Sequence, residues 1–173
     1  MRIRRLVWRH VPRGAQPLHA GWMQLARGRW NTQRPRIACL YTSYSAAGAL
    51  AEYAKLAREA GYATRPRDLV SIQVDVEPVL DLTDPQVQAR YAITDRLMRS
   101  TGYPPCHRVV REAVLRDGFR AIRAPSAAVE DVLNLMIHPE SHDGRLRYAD
   151  GPDRPAINYG PAPLLPGLEP DNE

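Results

Sequence analysis

The chain contains a single lysine, two cysteines and no apolar run near the ~20 residues that a bilayer-spanning helix needs. The last of these absences rules out a helical membrane span. The opening residues, MRIRRLVWRHV, carry charge but have neither an apolar h-region nor a small-residue cleavage site. A signal peptide is therefore not expected, and a cytoplasmic location is the default reading. Cys39 and Cys106 stand apart with no CxxC pair and no histidine-rich spacing, which gives no support to a zinc site. They form either a structural disulfide or two buried free thiols. There is no P-loop, no GxGxxG and no internal repeat.

What is present suits one globular domain with a substantial core. The 173 residues are 44% hydrophobic and 25% charged. The net charge is +5 and the pI about 9.6. Apart from Lys55 the basic residues are arginines, dispersed among Asp and Glu rather than gathered into a basic arm. Such a balance suits a phosphate-bearing small molecule, an acidic protein partner or RNA.

Residues 3–11 mix β-branched and aromatic side chains with arginine and read as a first strand, with Arg9 near its end. Pro12, Gly14, Pro17 and Gly21 mark a loop over 12–24. In Gly28-Arg29-Trp30-Asn31, the glycine lets backbone approach a ligand closely and the guanidinium suits paired phosphate oxygens. The plainer alternative is Arg29 stacked on Trp30 at the surface. Residues 36–42 read as a second strand, with Tyr41 at its C-terminal end, placed either for a ligand or for the core.

A helix is expected from its N-cap, Ser45, through Ala60, with Gly61 as terminator. Its packed stripe is Ala46, Ala49, Leu50, Tyr53, Ala57 and Ala60. Glu52 falls about 120° from the centre of that stripe. On this flank it either faces a cleft or pairs with Lys55 in solvent. An arginine on a loop, a tyrosine at a strand end and a glutamate in the first turns of a helix can share one cleft.

Residues 68–83 read as two strands or one bent at Pro78. Thr83 to Gln86 has capping-box spacing with Pro85 in the first turn, which starts a helix expected to run to about Ser100. Gly102-Tyr103-Pro104-Pro105 breaks it, and a second helix is expected over 106–116. A short strand over 119–123 leads to Ser126, which either faces the cleft or bonds its own turn backbone. Residues 131–138 read as a further strand. His138 and His142 would make a metal pair only on a helix, which Pro139 opposes, so no metal is expected.

Taken together, these stretches resemble a known family. Gly28-Arg29-Trp30-Asn31, Tyr41-Thr42-Ser43, the Ala49 to Glu52 segment, Val79-Leu80-Asp81-Leu82-Thr83-Asp84-Pro85 and Arg123-Ala124-Pro125-Ser126-Ala127 are similar to motifs of the RES domain, named for its arginine, glutamate and serine. Residues 134–142 are similar to its C-terminal Asn/Pro/His segment, so the resemblance covers roughly residues 5–145. It implies an α+β fold: one domain over 1–150 with an ADP-ribosyltransferase-like mixed sheet flanked by helices, then a proline-rich tail over 151–173. It also implies a toxin of a bacterial type II toxin–antitoxin pair that consumes NAD by phosphorolysis or hydrolysis, or transfers its ADP-ribose to a protein. The implied partner is an antitoxin with a Xre-type helix-turn-helix domain that blocks the active site, giving a hetero-oligomer. Inorganic phosphate or an acceptor protein would be the second substrate. By this resemblance Arg29, Tyr41, Glu52 and Ser126 are catalytic, and Arg9, Arg29 and Tyr41 bind NAD. Two positions depart from the pattern: the glycine-rich lead-in is only Ala20-Gly21-Trp22-Met23-Gln24, and His107 stands where glutamine is common.

The alternative class is a basic nucleic-acid-binding protein or RNase-type toxin, which the pI and the arginines interleaved with Trp and Tyr would suit. Dispersed charge and the lack of a stacking platform or recognised nucleic-acid motif count against it.

Overall fold

The longest strand pairing sets the frame. In the computed structural model, β1 (Ile3–Pro12) runs antiparallel to β5 (Arg67–Val76) along its whole length, from Ile3 opposite Val76 to Pro12 opposite Arg67. Ile3, Val7 and Val11 of one strand and Val70, Ile72, Val74 and Val76 of the other are buried in one cluster. That alternation is the two-residue period of a strand with one face in the core. The structure describes residues 1–15, 18, 28–61, 63, 66–138, 147–148 and 156–158. The lead-in over 20–24, His142 and most of the tail lie outside these.

Beyond β1 the sheet continues through β4 (Leu40–Ser43), β8 (Leu133–Ile137), β7 (Ala121–Pro125) and β6 (Val79–Asp81), in that order. β6 and β7 are parallel, and the neighbouring pairs are antiparallel. Two short strands, β9 (Arg147–Tyr148) and β10 (Ala156–Asn158), pair with the other edge of β5. The strand expected over 36–42 is interrupted at Ala38 and Cys39. Its first part, β3 (Arg36–Ile37), turns back onto β2 (Thr32–Gln33) as a separate hairpin, and only β4 joins the main sheet.

The first helix, α1 (Ala46–Ala60), has the expected ends. Ser45 Oγ accepts from the Gly48 N–H at 2.9 Å, and Gly61, at φ 68°, donates back to the last turn. The single helix expected up to Ser100 is instead two, α2 (Pro85–Arg90) and α3 (Asp95–Arg99). Asp84, not Thr83, caps α2: its carboxylate accepts from the Gln86 N–H at 2.8 Å, while the Thr83 hydroxyl donates to Asp81 and accepts from Arg123. The chain breaks at Ala92, whose φ is 44°, and Thr94 caps the new start. The next helix, α4 (Pro104–Val110), begins earlier than expected, since proline is tolerated where a first-turn N–H needs no partner. It widens into a π-turn over Arg111–Arg116. These helices cover the second face of the sheet, where Leu80, Ile122 and Met136 pack with Met98, Val109 and Val110. Among the described residues no helix is long and apolar enough to cross a membrane.

At the end of β8, His138 is 2% exposed and its Nδ1–H donates to the Ala38 carbonyl at 3.0 Å. Burial lowers its pKa to about 4. As pH falls below the ordinary histidine value, the unfolded chain takes up a proton that the folded chain refuses until about pH 4. Stability is therefore expected to fall through that window, by about 2–3 kcal/mol from this residue. Urea unfolding of the wild type and His138→Gln at pH 7 and 4.5 checks it: the variant should lose less stability on acidification, by about that amount.

Candidate active site

The sheet parts between β1 and β4. Only one register pair, Trp8 opposite Ser43, joins these strands. A cavity of about 330 Å³ opens there, a size suited to a small-molecule site. Its walls are the end of β1, the end of β4, one flank of α1, the Gly28–Trp30 loop and Tyr103. Arg9, Arg29, Tyr41 and Glu52 all line it. Ser126 does not; it is fully buried and bonded to Glu52.

Glu52 is held by one carboxylate oxygen. Ser126 Oγ, the Ala127 N–H and Asn134 Nδ2 donate to Oε1 at 2.6, 3.0 and 2.7 Å. Oε2 takes no hydrogen bond from the described residues, and Glu52 is part of the cavity lining. Ser126 Oγ in turn accepts from the Ala128 and Val129 N–H groups, both at 3.1 Å. A hydroxyl has two lone pairs and one proton. With both lone pairs occupied, the proton is committed to Glu52. The turn role and the cleft role, alternatives in the sequence, hold together here. Lys55, the solvent partner considered for Glu52, pairs with Glu59 one turn further on.

Asn134 opens the segment that resembles the family's Asn/Pro/His stretch, but nothing in the sequence assigned it a role in the site. It sits in β8 between Ser43 of β4 and Ala124 of β7 and is 8% exposed. The available signal was its polarity within the apolar run Leu133–Ile137, because a buried amide there must find a partner.

Arg29 is 8% exposed, its Nη1 donates to the Ser100 carbonyl, and its guanidinium lies 5.1 Å from the Tyr103 ring centre. The surface stack on Trp30 does not form, for Trp30 is itself in the core at 3% exposure. Tyr41 Oη accepts from the Trp30 N–H at 2.6 Å and donates to Asn31 Oδ1 at 3.1 Å. Removal from water pushes this phenol well above its usual range, so it stays protonated. Its hydroxyl holds the loop, and its ring is what remains for the cavity. Gly28 has a reason other than ligand approach: a Cβ there would meet Asn31 Oδ1 at 2.1 Å and Tyr41 Oη at 2.5 Å. His107 Nε2 donates to the Gly28 carbonyl at 2.8 Å and closes the loop from α4.

At the far wall, His10 Nδ1 accepts from Arg67 Nε at 3.3 Å. Burial, with the charges of Arg67 and Arg9, lowers its pKa to about 3 and leaves it neutral. Both cysteines are free and buried, which decides between the two expectations for them. Burial pushes the Cys106 thiol up to about 11 and Cys39 higher still. Among the described residues no group of three or more His, Cys, Asp or Glu could hold a metal ion. The cavity thus brings together two buried arginines, a chemistry suited to an anionic ligand portion, with aromatic residues and a carboxylate held through one oxygen.

A model of the RES domain matches residues 2–157 of the chain. No curated protein matches it in sequence. Among solved structures, the fold is similar to a chain in the crystal structure of the M. tuberculosis MbcT–MbcA toxin–antitoxin complex. The TM-score is 0.68 at 19% identity, covering 83% of this chain and 80% of that one.

Gly28→Ala is expected to lower stability by about 1–3 kcal/mol through overpacking of the Asn31–Tyr41 contact. Gly102→Ala, with no atom nearer than 4.0 Å to its Cβ, should stay within about 0.5 kcal/mol of the wild type. Urea unfolding of both variants checks the contrast. Neither thiol should react with a disulfide reagent at pH 8 in the folded protein, and both should react once it is unfolded.

Proposed function

The chain belongs to the RES domain family, and from that premise we propose that it is an NAD-consuming toxin of a toxin–antitoxin pair, cleaving the bond between nicotinamide and ribose. The observation that carries this reading is the carboxylate of Glu52, fixed through one oxygen, in the lining of a cavity that also holds Arg9 and Arg29. The nicotinamide of NAD is already a cationic leaving group. When its glycosidic bond breaks, the electron pair goes to the ring nitrogen and neutralises it, with no general acid required. Positive charge then builds on the ribose, as in glycoside hydrolysis. A carboxylate held in place before the reaction stabilises that charge without reorganising.

Arg29, with Arg9, would hold the pyrophosphate through charge-assisted hydrogen bonds. The Tyr41 ring would face the pyridinium. Ser126 would act through Glu52, because its hydroxyl has no accessible surface from which to touch substrate. Capture of the ribosyl carbon by phosphate, water or a protein side chain forms the new C1–O or C1–N bond and releases the acceptor's proton where it carries one. The antitoxin expected for such a toxin would carry a Xre-type helix-turn-helix domain and cover this cavity. The likeness of the fold to a chain of the MbcT–MbcA toxin–antitoxin complex supports an antitoxin partner.

Incubation of purified protein with NAD, with and without phosphate, followed by mass spectrometry, tests the reading. ADP-ribose phosphate formed only with phosphate indicates phosphorolysis, free ADP-ribose indicates hydrolysis, and a modified protein indicates transfer. NAD left intact under all conditions, with cell extract supplying acceptors, overturns it. Glu52→Gln is expected to lower kcat on the order of 100- to 1000-fold, with NAD affinity by calorimetry within about threefold of the wild type.

A further inference from the structure

Arg29 and Glu52 share no hydrogen bond, and they reach the cavity from elements far apart in sequence. Their spacing must be set elsewhere. The C-terminal end of α3 touches the supports of both. The Ser100 carbonyl accepts from Arg29 Nη1, and Arg99 Nη1 donates to the Ser126 carbonyl. Ser126 and the next residue, Ala127, supply hydrogen bonds that pin Glu52 Oε1. We propose that Arg99 is a positioning residue, and that the Arg99–Ser100 pair sets the separation between the anion-binding arginine and the carboxylate.

The local structure suits this task. α3 has only five residues, from Asp95 to Arg99, yet it is fixed at both ends and in the middle. Thr94 caps its start, Met98 is fully buried, and Ser100 Oγ donates to the Leu97 carbonyl at 2.9 Å. The last carbonyls of a helix lack intrahelical partners. At Ser100 the backbone turns extended, with φ −67° and ψ 161°, and the carbonyl goes to Arg29 instead of water. One peptide unit, a rigid plane, therefore separates the residue that anchors Arg29 from the one that anchors the Ser126 turn. Arg99 touches no cavity surface; its effect passes through Ser126 to Glu52.

The kinetic arm of the test rests on the NAD-cleaving reading, and the exchange arm does not. Arg99→Met is expected to lower kcat on the order of tenfold to a hundredfold, with KM for NAD within about twofold. The amides of Ala127, Ala128 and Val129 should exchange with deuterium faster, while those of the β1–β5 ladder keep wild-type protection. Arg99→Lys, which still offers a donor to the Ser126 carbonyl, should restore most of both. Unaltered kcat and unaltered exchange at 127–129 in Arg99→Met overturn the proposal. A rise in exchange spread across the whole sheet, with Arg99→Lys no better, overturns it too by making Arg99 merely structural. If the wild type leaves NAD intact, the proposed function falls while the exchange arm still decides: faster exchange confined to 127–129 supports the positioning role, and none refutes it.

Discussion

Three donors on one oxygen of Glu52 are the constraint from which the site is organised. A carboxylate on a helix flank has several rotamers and, in water, no reason to prefer one. Ser126, Ala127 and Asn134 remove that freedom by bonding Oε1 from two directions, the turn after β7 and the middle of β8. Each donor is itself committed, Ser126 by the two amides it accepts and Asn134 by burial within a central strand. Ordering cost is thus met during folding, and the carboxylate is already oriented where it lines the cavity.

The fold makes room beside that carboxylate by a local failure of strand pairing. β1 is bonded to β5 along its full length but to β4 at one position, so the two strands diverge and both of their ends line the gap. Burying Arg9 and Arg29 there carries a desolvation cost that only fixed partners or an anionic ligand can offset. Arg29 keeps its place through a helix-end carbonyl and the Tyr103 ring. The loop that carries it is fastened by Tyr41 of β4 and His107 of α4. Removal of Gly28 would strain the same fastening.

Much of this was legible in the sequence where local chemistry alone decides the outcome. Ser45 and Gly61 delimit α1 because capping and a left-handed C-terminal residue are properties of one or two positions. Arg29, Tyr41 and Glu52 line one cavity, as the loop, strand-end and helix positions suggested, and Arg9, expected there only from the family resemblance, joins them. The less legible features depend on partners distant in the chain. Asn134 reads as one polar residue in an apolar strand, and its bond to Glu52 spans residues far apart in sequence. The split between α2 and α3 turns on Ala92 and on a second cap at Thr94, against a pattern that otherwise continues the helix. Tyr41 lines the cavity, but its hydroxyl serves the Trp30–Asn31 loop, which no spacing reveals.

The most direct measurement is a crystal structure of the Glu52→Gln protein with NAD bound. The expected result places the nicotinamide–ribose bond against the side chain of residue 52, with the pyrophosphate on Arg29 and the pyridinium facing the Tyr41 ring. NAD bound away from residue 52, or a cavity that takes no NAD while Ser126, Ala127 and Asn134 keep their positions, would contradict the assignment of Glu52 as the group that stabilises the ribosyl cation.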